Sequence, residues 1–413
     1  MASSKLVFLG TGSSSGVPNP LCLVGARAPP RHGARQGLAP YVRRGGGGNG
    51  NGDMGGCLVC LSCAGVDPRF AKNYRCNPSL LLLVEGDEGE DAGNANGEGV
   101  GTIAGPSRRV VQIDCCKTFR ESMLRWYPEH GVDRLDAVVL THEHADAMMG
   151  LDDVRLMQRT VKMQDYAKQA ELVSPTTVWG SEHTMGTVSR AFPYLCPQGQ
   201  EANAKSDVKR RVAQLEFRTM GAPIGGGARP FEPVPGLTMI PLPVWHGADY
   251  VCLGFLFGAP GCRVVYLSDI SEMPPQTEAL IHELCDQGIE LLIVDALFYE
   301  RPHNTHFNLP QTLECVRMLS PRRALCVGMT HDFDQDTVNE ELRQWGEANG
   351  GLDVQLAHDG LALEGFDLNF GDVHHTVCST ARAGARVWRR CSRSAGYAAR
   401  EGSPRLRNEA RAR

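Results

Sequence analysis

The stretch at residues 135–155, LDAVVLTHEHADAMMGLDDVR, decides how this chain is read. It opens on a Val- and Leu-rich run suited to a strand buried on both faces, then changes abruptly to His142, Glu143, His144, Ala145 and Asp146. If the backbone stays extended to His142 and then turns, the imidazoles at i and i+2 point the same way and Asp146 reaches in from the turn. Two histidines and a carboxylate converging on one point suit a zinc-like ion. An HxH alone is a weak sign in a chain with 13 histidines. Three further apolar runs, however, also end on a candidate ligand: PLPVWH at His246, RVVYLSD at Asp269 and ALCVGMTH at His331. A donor at the tip of each of four such runs predicts a metal centre.

Composition bounds the rest. With 413 residues and 42% hydrophobic content the chain can bury a large core, read as one catalytic domain over residues 1–370 followed by an Arg-rich, disordered tail over 371–413. Gly-rich and charged segments at about 24–56, 86–107 and 198–210 read as flexible insertions. The formal net charge of −5 gives no general nucleic-acid footprint, so no nucleic-acid partner is expected. No apolar run is long enough to span a bilayer, and KLVFLG at residues 5–10 leaves no room for a secretory leader. The expectation is a cytoplasmic protein with no membrane partner and a homodimer as its candidate assembly.

Most of the 15 cysteines lie in apolar runs, as at Cys252, Cys315 and Cys326, where a reduced thiol packs as a small hydrophobe. Cys57, Cys60 and Cys63 in CLVCLSC, with Cys22 upstream, read differently. Two thiolates at CxxC spacing can clasp a zinc ion from a tight turn.

The order HxHxD, a distant His, LSD and a final TH resembles the metallo-beta-lactamase superfamily of hydrolases. More narrowly, FLGTGSSSGVP, THEHADA with GLDD, LPLPVWHG, LSDIS, HNTHFNLPQTL and GMTHDFD together resemble the phosphoribosyl 1,2-cyclic phosphate phosphodiesterase branch and its plant and algal relatives, over most of residues 5–366. The resemblance implies an α/β fold, a four-layer αββα sandwich. It implies a first ion, Zn2+, on His142, His144 and His246, with Asp269 bridging to a second ion on Asp146 and His331. Ala147 stands where the superfamily motif HxHxDH has its last His. A second site short of an imidazole leans towards Mn2+, Mg2+ or Fe over Zn2+.

The same resemblance implies a structural Zn2+ on Cys57 and Cys60, with Cys22 or Cys63 as third ligand and a fourth from near Asp334. The sequence DTVNEELRQW equally makes Asp334 a helix N-cap. His306, in HNTHFNLPQTL, takes the position of a general acid facing substrate, and Asp114 that of a group orienting its neighbours. The implied activity is metal-dependent hydrolysis of a small, cyclic phosphodiester by hydroxide, drawn from a water whose pKa the ion lowers to about 7 and held in place by Asp269. A thioesterase of the glyoxalase-II kind and a metal-binding protein weakened in catalysis, the latter suggested by Ala147, are the alternatives.

Overall fold

Strands that are apolar on both faces need a layer above and a layer below. Here β1 (Ser4–Gly10), β2 (Ser79–Val84), β3 (Arg109–Ile113) and β4 (Ala137–Val139) are buried almost throughout. So are β9 (Val251–Phe257), β10 (Arg263–Leu267), β11 (Ile289–Asp295) and β12 (Arg323–Val327). The computed structural model describes residues 4–24, 57–86, 108–158, 175–196, 212–220 and 229–368, with positions 199, 201 and 205. The expected insertions and the Arg-rich tail fall almost wholly outside these residues.

Within them the remaining strands are β5 (Thr176–Gly180), β6 (Leu215–Thr219), β7 (Phe231–Val234), β8 (Leu237–Trp245), β13 (Asp353–Leu356) and β14 (Ala362–Phe366). Among the described residues the strands form two seven-stranded sheets, ordered β14-β1-β2-β3-β4-β5-β6 and β13-β12-β11-β10-β9-β8-β7. Leu6, Phe8, Val111 and Val139 of the first sheet meet Phe255, Tyr266, Ile293 and Leu325 of the second in a core between them. Helices Phe119–Trp126 and Glu182–Ala191 cover the first sheet's outer face through Met123, Trp126, Met185 and Val188. Helices Pro275–Leu284, Leu309–Leu319 and Gln335–Ala348 cover the second through Ile281, Val316 and Leu342. This is the αββα sandwich expected from the sequence.

Strand direction gathers the tips. β10, β11 and β12 are parallel, and β9 pairs antiparallel with both β8 and β10, so β8 ends on the same edge as the other three. The end of β4 is tied to that edge across the sandwich, where Leu253 N donates to Thr141 O at 3.1 Å. One expected element differs. The helix read through Met157 is a single turn, Ala145–Met148, followed by a 3-10 segment, Leu151–Met157. The break falls at Gly150, whose N donates to Cys115 O at 2.9 Å; a Cβ at Gly150 would stand 2.4 Å from Cys116 O. Only glycine permits that approach. No helix among the described residues is long and apolar enough to cross a membrane.

The helix Gln335–Ala348 is capped by Asp334, whose Oδ1 accepts from Thr337 N at 3.0 Å while Oδ2 accepts from Asn73 Nδ2 at 3.0 Å. Asn308 and Gln311 form the expected capping box at Leu309–Leu319. Asp334→Ala is expected to cost about 1 kcal/mol in denaturant unfolding and to leave bound zinc unchanged. A loss of zinc without a loss of stability would make Asp334 a ligand instead.

Candidate metal centres

The first centre is assembled from the backbone outward. Asp114, after β3, adopts a φ of +59°, in the left-handed region that Asp tolerates better than most residues. Its Oδ1 accepts from Thr141 N at 2.9 Å and its Oδ2 from the Thr141 hydroxyl at 2.9 Å. With that proton committed, Thr141 Oγ1 accepts from His142 Nδ1 at 2.8 Å. His142 Nε2 is therefore the unprotonated nitrogen, and it is buried with no hydrogen-bond partner among the described residues. His246, one residue past β8, donates Nδ1 to Thr305 O at 2.7 Å, which likewise leaves Nε2 as a donor to a cation. His144 is exposed and stacks on Tyr250, ring centroids 5.1 Å apart and planes within 5°.

His142, His144 and His246 bring ligand atoms within 4.8 Å of one another, and so do His142, Cys252 and Asp269, and His246, Asp269 and His306. Burial alone would raise the Asp269 carboxyl, but His142, His306 and His246 hold it down to about 2. Burial in turn holds His142 down to about 4, against the pull of Asp269. A buried carboxylate beside neutral imidazoles, one with an orphaned Nε2, is chemically suited to a cation, since an uncompensated buried charge costs several kcal/mol. Asp146 lies near enough for Asp269 to add to the burial that raises its carboxyl.

Asp295, at the end of β11, was not singled out from the sequence. It is fully buried, and its Oδ2 accepts from His306 Nδ1 at 2.7 Å. Burial would lower His306, but the charge and hydrogen bond of Asp295 outweigh it and raise the imidazole to about 9. Asp295 itself is pushed up to about 7, chiefly by burial. The sign was available in the sequence: IELLIVD, like LSD, is an apolar run ending in Asp.

His331 stands elsewhere. It groups with Cys22, Cys57 and Cys60, all ligand atoms lying within 4.8 Å. The sequence expectation set it on a second catalytic ion, but it belongs to none of the histidine groups; the turn after β12 brings it to the cysteines instead. Cys63, the alternative third ligand, lies outside the group, and its Sγ donates to Val59 O at 3.3 Å. Three cysteines and one histidine match the closed donor set of a structural zinc site. Cys60 Sγ accepts from Asn19 N at 3.2 Å, and hydrogen bonding from Cys60 and His331 favours a thiolate at Cys57.

Residues 108–329 match the family described as the beta-lactamase superfamily domain, a span of more than half the chain. The chain belongs to the beta-lactamase superfamily. The fold of this superfamily member is similar to a diphosphatase from the PhnP family, with 24% identity, 89% of this chain and 99% of that one covered, and a TM-score of 0.57. It is also similar to Zn2+-bound PqqB from Methylobacterium extorquens, with 16% identity, coverages of 87% and 99%, and a TM-score of 0.52. A curated relative, an octanoyltransferase from Porphyromonas gingivalis, is 24% identical over 327 residues, which are 78% of this chain and 52% of the relative. The chain thus spans about half the length of the curated relative it matches.

The cysteine cluster makes a direct prediction. His331→Ala is expected to lose one zinc ion per chain by elemental analysis, whereas Cys63→Ala keeps the full complement. Unchanged zinc in His331→Ala would return His331 to another role.

Proposed function

We propose that this superfamily member is a metal-dependent phosphodiesterase acting on a small, cyclic phosphodiester, in keeping with its resemblance to the phosphoribosyl cyclic phosphate phosphodiesterases and with the diphosphatase named among its structural relatives. The observation that carries the reading is the His306–Asp295 hydrogen bond of 2.7 Å beside His246 and Asp269, which sets an acid next to a cation-binding cluster. His142, His144 and His246, with Asp269, would hold Zn2+; bound there, the ion supplies Lewis-acid activation of water and of phosphoryl oxygens. Cys22, Cys57, Cys60 and His331 would hold a second Zn2+ with a structural role.

The chain's own groups do the rest. The Asp114–Thr141 relay and the Thr305 carbonyl keep His142 and His246 in the tautomers that face a cation. Asp295 keeps Nδ1 of His306 protonated, so that Nε2 can give its proton to the departing alkoxide. Because the raised value of His306 lies at about 9, the acid form is present below that pH and is lost above it.

Purified protein is expected to turn over bis(p-nitrophenyl) phosphate in preference to an acyl thioester. Thioester turnover well above phosphodiester turnover would fit the acyl chemistry in the curated relative's name and overturn the proposal. His306→Ala is expected to lower kcat by about 10²- to 10⁴-fold, the range for general acid catalysis. Asp295→Asn removes the group that outweighs burial, so the basic limb of its pH–rate profile should move to lower pH; an unmoved limb would detach Asp295 from the acid.

A further inference from the structure

We infer that the histidine centre is mononuclear, and that the space beside Asp269 where a second ion would sit is given over to the His306–Asp295 pair. This rests on the metal-hydrolase reading of the same site and goes beyond it by fixing the number of ions. Three separate positions lead to it. Ala147, 1% exposed, offers no donor at the end of the HxHxD motif. His331 is engaged with the cysteines. Gly328, one residue past β12 and at a φ of +77°, presents only backbone: a Cβ there would stand 2.4 Å from Asp295 Oδ1. The turn that ends in His331 therefore makes room for the Asp295 carboxylate instead of contributing a side chain.

His306 occupies that room. Its Nδ1 lies 2.7 Å from Asp295 Oδ2 and 3.9 Å from Asp269 Oδ1, and its ring sits 4.7 Å from that of His246. His306 also groups with His246 and Asp269, but its Nδ1 is tied to Asp295, so the donors left for another ion on this side are the carboxylates of Asp146 and Asp269. Two carboxylates fall short of the three protein ligands of a catalytic zinc ion, and a hard cation held by them alone would depend on water and substrate for the rest of its shell. The Mn2+ expected at a second site thus has no complete ligand set among the described residues.

The test is metal counting on the full chain loaded with Co2+. Total cobalt comes from elemental analysis; cobalt bound by Cys22, Cys57 and Cys60 is read separately from its thiolate charge-transfer absorption, and the remainder belongs to the histidine centre. The expected remainder is one ion per chain, with the electron paramagnetic resonance of an isolated high-spin Co2+, and it stays at one in Ala147→His because Gly328 and His331 still give nothing. His306→Asn is expected to keep that ion. A remainder of two in the wild-type chain, or loss of the ion in His306→Asn, overturns the inference while leaving the hydrolase reading standing. A remainder of zero sinks both.

Discussion

A negative charge buried at Asp269 is the constraint from which the site follows. A carboxylate in an apolar interior must be neutralised or paired, and the groups around it are His142 and His246, whose imidazoles burial holds towards the neutral form, and His306, which keeps its proton. His142 and His246 are oriented to leave a nitrogen lone pair free for a cation. Asp114 does this for His142 through Thr141, and a main-chain carbonyl does it for His246. These supports come from β3 and from the loop before the helix Leu309–Leu319, so both layers of the sandwich contribute to one centre.

The acid belongs to the same electrostatic system but is solved in the opposite direction. His306 is paired with a carboxylate that is itself deeply buried, so its proton is retained where His142 has lost its own. Two imidazoles that both pack against His246 thus hold different protonation states. The difference lies in their partners: a hydroxyl already committed as a donor in one case, a carboxylate in the other.

Much of this was legible in the chain because strands of both sheets end where their apolar runs end. His142, His246 and Asp269 sit one to three residues beyond β4, β8 and β10, and the period of the runs alone finds them. Asp295 obeyed the same rule and was passed over, since no motif drew attention to it. His331 shows the rule's limit: three residues, one of them a left-handed glycine, separate it from β12, enough to carry it to another cluster. Spacing also could not choose among the cysteines. Cys57 and Cys60 lie within one turn of each other, but whether Cys22 or Cys63 completes the set depends on a contact 35 residues away in sequence between Cys22 and Cys57. Tertiary distance is not encoded in local period.

The turn from Gly328 to Phe333 is held by Arg75 and by the cysteine cluster. Buried Arg75 donates to Thr330 O and Phe333 O, and the side chain between them reaches the thiols. A segment anchored this way has little latitude to breathe, so the shape of the niche around Asp295 is inherited from the protein's interior and from a sulfur-lined clasp on its flank. The seating of the acid is in this way tied to a neighbouring fastening.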